Sequence, residues 1–407
     1  MRYQTTMLGG LLAGMMLSAA AGGARADDAA TQGYLYGTVE TQGGKSYTGV
    51  LRWGTEEAFW DDLYNASKVD RPEVPGEARR EGRGKRIEVF GVPIWVSSEA
   101  SGGRQFVMRF GDLAELRVRD GDLEAVLRGG RTMRLNDGSN DQSADIHIQD
   151  ATLGEVTVPW SKVATVRFAA TPAGVGPLPA RLYGRVKTKA GVFEGFIQWD
   201  SEECLASDKL DGDTEDGRIS IEMGRLRAIE KHDDDGSWVE LKDGRKLLLE
   251  GTNDVDSSLR GVLVETERSG RIEISWEAFE RIDFIDGKGS GRGYESYEKT
   301  RPLAGRVTSK QGETLSGELV FDLDESYACE LLNGNLDGVE YSIPFARVKT
   351  IVPRPKGRAA VTLVDGSELV LGEATDVDDD NAGIMVHAAG KEVLLSWDEV
   401  ARIDFDR

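Results

Sequence analysis

Apolar and polar residues alternate along most of this chain in short runs that break at glycine. Val239-Glu240-Leu241-Lys242-Asp243-Gly244 is one instance, Val361-Thr362-Leu363-Val364-Asp365-Gly366 a second, and Ala125-Val126-Leu127-Arg128-Gly129-Gly130 a third. A period of two sends alternate side chains to opposite faces of a strand. Asp-Gly or Gly-Gly at its end predicts a tight turn into the next strand. A second pattern recurs upstream of each. Leu35-Tyr36-Gly37-Thr38-Val39, Leu182-Tyr183-Gly184-Arg185-Val186 and Leu303-Ala304-Gly305-Arg306-Val307 each run through a glycine-containing turn into a strand ending at Trp53, Trp199 or Phe321. Internal similarity of this kind sets the architecture, and it divides the chain into three tandem copies.

Each copy holds two related halves, because a third pattern occurs six times. An apolar residue is followed at +2 by an aromatic or Met, then at +5 and +8 by aliphatics or Phe. Val158/Trp160/Val163/Val166, Ile274/Trp276/Phe279/Ile282 and Leu395/Trp397/Val400/Ile403 close the second halves. Met108/Phe110/Leu113/Leu116, Ile221/Met223/Leu226/Ile229 and Ile343/Phe345/Val348/Ile351 close the first. The +2 step is strand alternation, and the two +3 steps predict one turn of 3₁₀ helix before a last strand. The expected fold class is all-β: three tandem repeats, each of two half-units with four or five strands. This layout resembles small SH3-like or Sm-like barrels, in which a 3₁₀ turn precedes the final strand. The alternative is a six-bladed β-propeller with one half-unit per blade. Composition places the repeats at residues 33–170, 180–286 and 303–407. The Pro/Gly-rich stretch 171–179 and the Gly/Ser-rich stretch 287–302 read as linkers, the second more flexible.

The N-terminus changes the picture of where the chain works. Arg2, an apolar run from Met7 to Ala21 and Ala24-Arg25-Ala26 have the layout of a secretory signal peptide over residues 1–26, so a periplasmic or secreted location is expected. The run falls short of the roughly 20 apolar residues that a spanning helix needs, and no later segment reaches that length. The net charge of -21 disfavours nucleic acid and anionic lipid as partners. Cys204 and Cys329 occupy non-equivalent positions in different copies, which reads as two separate thiols.

Candidate chemistry is sparse. Asp376-Val377-Asp378-Asp379-Asp380 aligns with Asp254-Val255-Asp256 in copy two, and alternate oxygens from Asp254 and Asp256, or from Asp376, Asp378 and Asp380, suit Ca²⁺. The EF-hand pattern fails, since its central glycine is missing and His387 replaces its bidentate Glu. An Asx-rich loop that caps its own backbone is the preferred reading, and no cofactor is expected. His147, His232 and His387 never recur between copies, and no Ser/His/Asp, H-E-x-x-H, G-x-S-x-G or C-x-x-C arrangement is present. Tryptophans at repeat positions read as core. Trp60 and Trp95 are different, since neither has a counterpart in the other copies.

One segment breaks the repeat, an insertion over 67–104. It gathers Arg79, Arg80, Arg83, Lys85 and Arg86 against a single acid, Glu81, just before an apolar run that ends at Trp95. A basic run beside an apolar strand in so acidic a chain suggests a contact surface for an acidic partner, self-association included. The bland reading is a solvated loop with an extra edge strand. Taken together, the sequence points to a non-enzymatic exported scaffold that binds a protein or glycan of the cell envelope. A carbohydrate-binding array and a carboxylate-dependent hydrolase are the alternatives. An exposed Trp-lined groove would favour the first, and carboxylates converging in a cleft the second.

Overall fold

The computed structural model describes residues 29–69, 87–89, 92–94, 104–119, 122–136, 140–388 and 390–407. Its elements are antiparallel strands and single-turn 3₁₀ helices. The chain is all-β, as the alternation predicts.

The glycines of the opening motif explain why it recurs. Gly37 lies directly opposite Gly49, Gly184 opposite Gly195, and Gly305 opposite Gly317 on the paired strand. A Cβ at Gly49, Gly195 or Gly317 would sit 2.0, 2.2 or 2.1 Å from a carbonyl oxygen of the next strand. Only a residue without a side chain lets three backbones cross this closely. The +3 steps also fold as expected. Phe110–Asp112, Trp160–Lys162, Met223–Arg225, Phe345–Arg347 and Trp397–Glu399 are 3₁₀ turns, each followed by a strand. The equivalent residues after Ile274 form a turn.

Strand pairing departs from the contiguous half-unit. In the middle copy, Tyr183–Thr188 and Gly191–Trp199 form a hairpin, but Gly191–Trp199 takes its other neighbour from the second half, Val262–Thr266. The first half's next hairpin, Lys209–Thr214 with Gly217–Glu222, instead meets Lys246–Glu250, also of the second half. The halves thus exchange hairpins, and Leu226–Lys231 pairs with Phe279–Phe284 to join the two sets. The same neighbour order recurs within 36–168, with the paired strands Ile87–Val89 and Val92–Ile94 outside it, and within 304–405. Each copy is one continuous ten-strand order, which is not the separate four-stranded sheets of a six-bladed propeller.

A bend just after the second strand accompanies the exchange in each copy. Asp200 and Ser201 have φ of 51° and 56°, and Asp322 and Leu323 have 48° and 52°; Gly54 stands at 59° in the first copy. Left-handed backbone at a non-glycine costs of order 1 kcal/mol per residue. Asp200 is held there by the Arg260 backbone N–H, which donates at 2.6 Å, and by the Arg260 guanidinium at 2.7 Å. The chain leaves the sheet at the bend, and the strand edge it vacates is taken by the second half.

Copies two and three share one hydrophobic core and one sheet, joined where Arg271–Ile274 pairs with Val339–Ser342. Copy one keeps its own core around Trp53, Trp60, Tyr64 and Phe110. The 287–302 stretch is not the flexible tether its composition suggests. Tyr294 and Tyr297 are buried in the core of copy one, and the Tyr294 hydroxyl donates to the Leu113 carbonyl at 2.8 Å. Aromatic burial outweighs the glycines around it.

Candidate functional site

The bend opens a loop that recurs in all three copies and ends where the copies meet. Four residues after Trp53, Trp199 or Phe321 stands Glu57, Glu203 or Glu325, and nine residues after it stands Asp62, Asp208 or Glu330. The later acid holds the loop's backbone. Asp62 accepts from the Ala58 and Phe59 N–H groups at 2.8 Å each, Asp208 from Cys204 and Leu205, and Glu330 from Ser326 and Tyr327.

Each of these carboxylates also receives a cation from another copy. Asp62 of copy one meets Arg271 of copy two at 3.1 Å, Asp208 of copy two meets Arg52 of copy one at 3.2 Å, and Glu330 of copy three meets Lys68 of copy one at 2.5 Å. Lys68 also reaches Asp324 at 3.0 Å. Arg181 adds a fourth join, bound to Asp61 at 2.8 Å with its guanidinium between the rings of Phe59 (4.0 Å) and Phe196 (4.2 Å). Burying an ion costs several kcal/mol unless geometry and hydrogen bonds offset it. Lys68 shows the balance: burial disfavours its ammonium, but Glu330, Asp324 and Glu325 outweigh that and raise its pKa.

The earlier acid of each loop faces an aspartate of the second half. Asp141, Asp254 and Asp376 accept hydrogen bonds from the backbone N–H of Asn65, Asp211 and Asn333 at 2.5, 2.7 and 2.6 Å. Trp53 and Trp199 donate their indole N–H to the Asp141 and Asp254 carbonyls at 2.7 and 2.9 Å. Burial pushes the three aspartates up, to about 7, 6 and 7. Burial and the Asp254 charge push Glu203 to about 9, while Glu57 and Glu325 rise well above the usual range for the same reasons. In each pair burial and the facing carboxyl favour the protonated form, which lessens the repulsion between two buried carboxylates.

The three copies line a half-open cavity of about 430 Å³ at their junction. Its walls include Arg109 of copy one, Phe196, Glu265 and Arg271 of copy two, Tyr297 and Arg292 of the 287–302 stretch, and Leu331, Pro344 and Arg347 of copy three. The carboxyl pairs do not line it, so they are not placed as an acid and base around a common substrate space.

The residues singled out from sequence scatter relative to this junction. Asp254 and Asp376 are buried and spend their carboxylates on strand backbone, whereas Asp256 and Asp378 cap their own turns through Ser258 and Asp380 N–H groups at 2.9 Å. Among the described residues no group of three or more His, Cys, Asp and Glu is placed to hold a metal. Arg79, Arg80, Arg83, Lys85, Arg86 and Trp95 lie outside the described residues, as do residues 1–26. The three histidines sit on strand or loop surfaces beside Glu155, Asp233 and Glu392. Trp53, Trp199, Trp276 and Trp397 are buried, Trp160 is half-buried, and none of the described tryptophans is exposed. Trp60, which lacks a counterpart, packs on Tyr294 with ring centroids 4.5 Å apart. Cys204 and Cys329 are free and buried, each where one copy meets another. No described helix is long and apolar enough to cross a membrane.

Sequence reasoning missed the loop acids and their cations. The signal was present as the fixed spacing of four and nine residues after the strand-ending aromatic, but the alignment of strands passed over it.

Comparison with known proteins adds little. No family model matches the chain, and no curated protein matches it. A solved structure described as "Streptogramin B lyase structure" aligns over 85% of this chain and 99% of its own, at 9% identity and a TM-score of 0.12. At that score the likeness carries no argument.

Proposed function

We propose that the chain is an exported, non-enzymatic scaffold of the cell envelope, a three-copy body that binds a protein or glycan partner. The observation that carries this reading is the use made of the loop acids. The motif repeated in every copy spends its charge on holding the copies to one another, and a rigid junction built this way suits presentation of a binding surface. The insertion, with Arg79, Arg80 and Arg83, is the proposed contact for an acidic partner.

Two measurements test it. The mature chain is used as bait in envelope extract beside one with Arg79, Arg80 and Arg83 reversed to Glu, and any captured partner is titrated back in pure form. Binding should weaken on reversal and in moderate salt, because a steered, screened interaction depends on both. Equal binding by the reversed protein at low salt would remove the insertion from the function. Separately, the N-terminus of protein recovered from the envelope should read Asp27; an N-terminus at Met1 there would end the export reading.

A further inference from the structure

We propose that the cavity where the three copies meet is a binding site for a small organic anion, whose carboxylate or phosphoryl oxygens are held by Arg347 together with Arg109 and Arg292. The proposal goes beyond the scaffold reading and does not depend on it.

The guanidinium groups come from three separate parts of the chain: the end of the Arg104–Arg109 strand, the 287–302 stretch and the 3₁₀ turn Phe345–Arg347. Arg109 is neutralised by Asp112 at 2.8 Å. The other two are not matched in this way. Arg347 donates to the Thr266 carbonyl at 2.9 Å, and Arg292 to the Ser296 hydroxyl at 3.2 Å and carbonyl at 2.7 Å. Among the described residues, neither has a carboxylate within ion-pair distance. Arg109 and Arg292 both lie against the Tyr297 ring, at 5.2 and 4.8 Å from its centroid. The acids of the same wall are committed elsewhere, Glu265 to Arg271 and Asp61 to Arg181; Glu267 is exposed at the rim.

Like charges gathered in a half-buried space repel. Burial, Arg109 and Arg292 together lower the pKa of Arg347. A chain of net charge -21 has acids in excess with which to neutralise this corner, yet among the described residues none pairs with Arg347 or Arg292. A bound oxyanion would offset the repulsion, and the planar guanidinium fork matches carboxylate and phosphoryl groups. The volume of about 430 Å³ falls in the range of small-molecule sites and exceeds what inorganic phosphate needs, while Phe196, Leu331 and Pro344 supply apolar wall for an organic portion.

Calorimetric titration of the whole mature chain at low ionic strength tests this, with glucose 6-phosphate, glucuronate, inorganic phosphate and glucose as probes. Glucose 6-phosphate or glucuronate should bind one per chain, more weakly as salt is added, and glucose should not bind. Which of the two binds separates a phosphoryl from a carboxylate site. Arg347→Gln should weaken binding by about tenfold or more, the worth of one charge-assisted hydrogen bond, without lowering the melting temperature of the ligand-free protein. Arg292→Gln, an exposed position that keeps the fold, should weaken it as well. The proposal is overturned if neither organic anion binds, if both variants bind as tightly as the wild type, or if glucose binds equally. Inorganic phosphate binding as tightly as the organic probes would overturn the organic assignment.

Discussion

Copy three is joined to copy two by paired backbone and a shared core, and copy one to both of them by buried ion pairs. The two kinds of join behave differently. The 2–3 seam is a strand pair, Arg271–Ile274 against Val339–Ser342, whose hydrogen bonds are indifferent to side-chain identity; it even sets Glu273 directly opposite Glu340. The joins to copy one rest on Arg181, Arg271, Arg52 and Lys68, each of which must find its carboxylate. Backbone pairing accommodates two carboxyl groups face to face once one of them holds a proton, whereas a buried ion pair tolerates no missing partner.

The largest break should come from Arg181. Arg181→Ala leaves Asp61 without its cation, removes a second cation from near Asp62, which keeps Arg271, and empties the space between Phe59 and Phe196, so a loss of about 3–5 kcal/mol is expected. Urea unfolding followed by tryptophan fluorescence should show copy one separating first. A single unshifted transition would mean that the join contributes nothing. A smaller effect is expected inside copy two. Trp199→Phe imitates Phe321 of copy three and removes one indole hydrogen bond to the Asp254 carbonyl, at a cost of about 1 kcal/mol plus packing. If the melting curve does not move, that bond is not a stabilising feature.

The smallest effect concerns the seam. Burial and the facing Glu340 raise Glu273 to about 8. A carboxyl that keeps its proton only when folded favours folding below its ordinary pKa, and this advantage is lost as pH rises through 8. Acidification from pH 8 to pH 5 should therefore raise the melting temperature of the seam. Glu273→Gln should flatten that slope, stabilising the protein at pH 8 and leaving it unchanged at pH 5. A wild-type melting temperature that falls steadily over this range, with the variant parallel to it, would refute the assignment.

Much of the fold was legible because alternation, turn glycines and the +2, +5, +8 spacing are local. Gly37, Gly184 and Gly305 marked the recurring opening strand, and Trp160, Met223 and Phe345 marked 3₁₀ turns. The hairpin exchange was not legible, since a period of two specifies which face a side chain takes and not which strand lies alongside. The junction was hidden for a related reason. Arg347 and Arg109 lie far apart in sequence, and nothing in the residues around either one announces the other. Composition misled at 287–302, where two tyrosines mattered more than the four glycines before them.

The exchange of hairpins also has a consequence in time. Gly191–Trp199 finishes early in its copy, but the strand that covers its free edge, Val262–Thr266, comes later in the chain, after both hairpins of the other set. Until then an aromatic-rich edge stands open, and the equivalent edges ending at Trp53 and Phe321 pass through the same interval. Non-local pairing of this kind is slow. Copies of similar sequence, waiting side by side with open edges, are each other's most plausible wrong partners. The order in which strands become available is thus part of what the sequence must control, and a chain cut between the halves of a copy should yield two sticky fragments rather than two small domains.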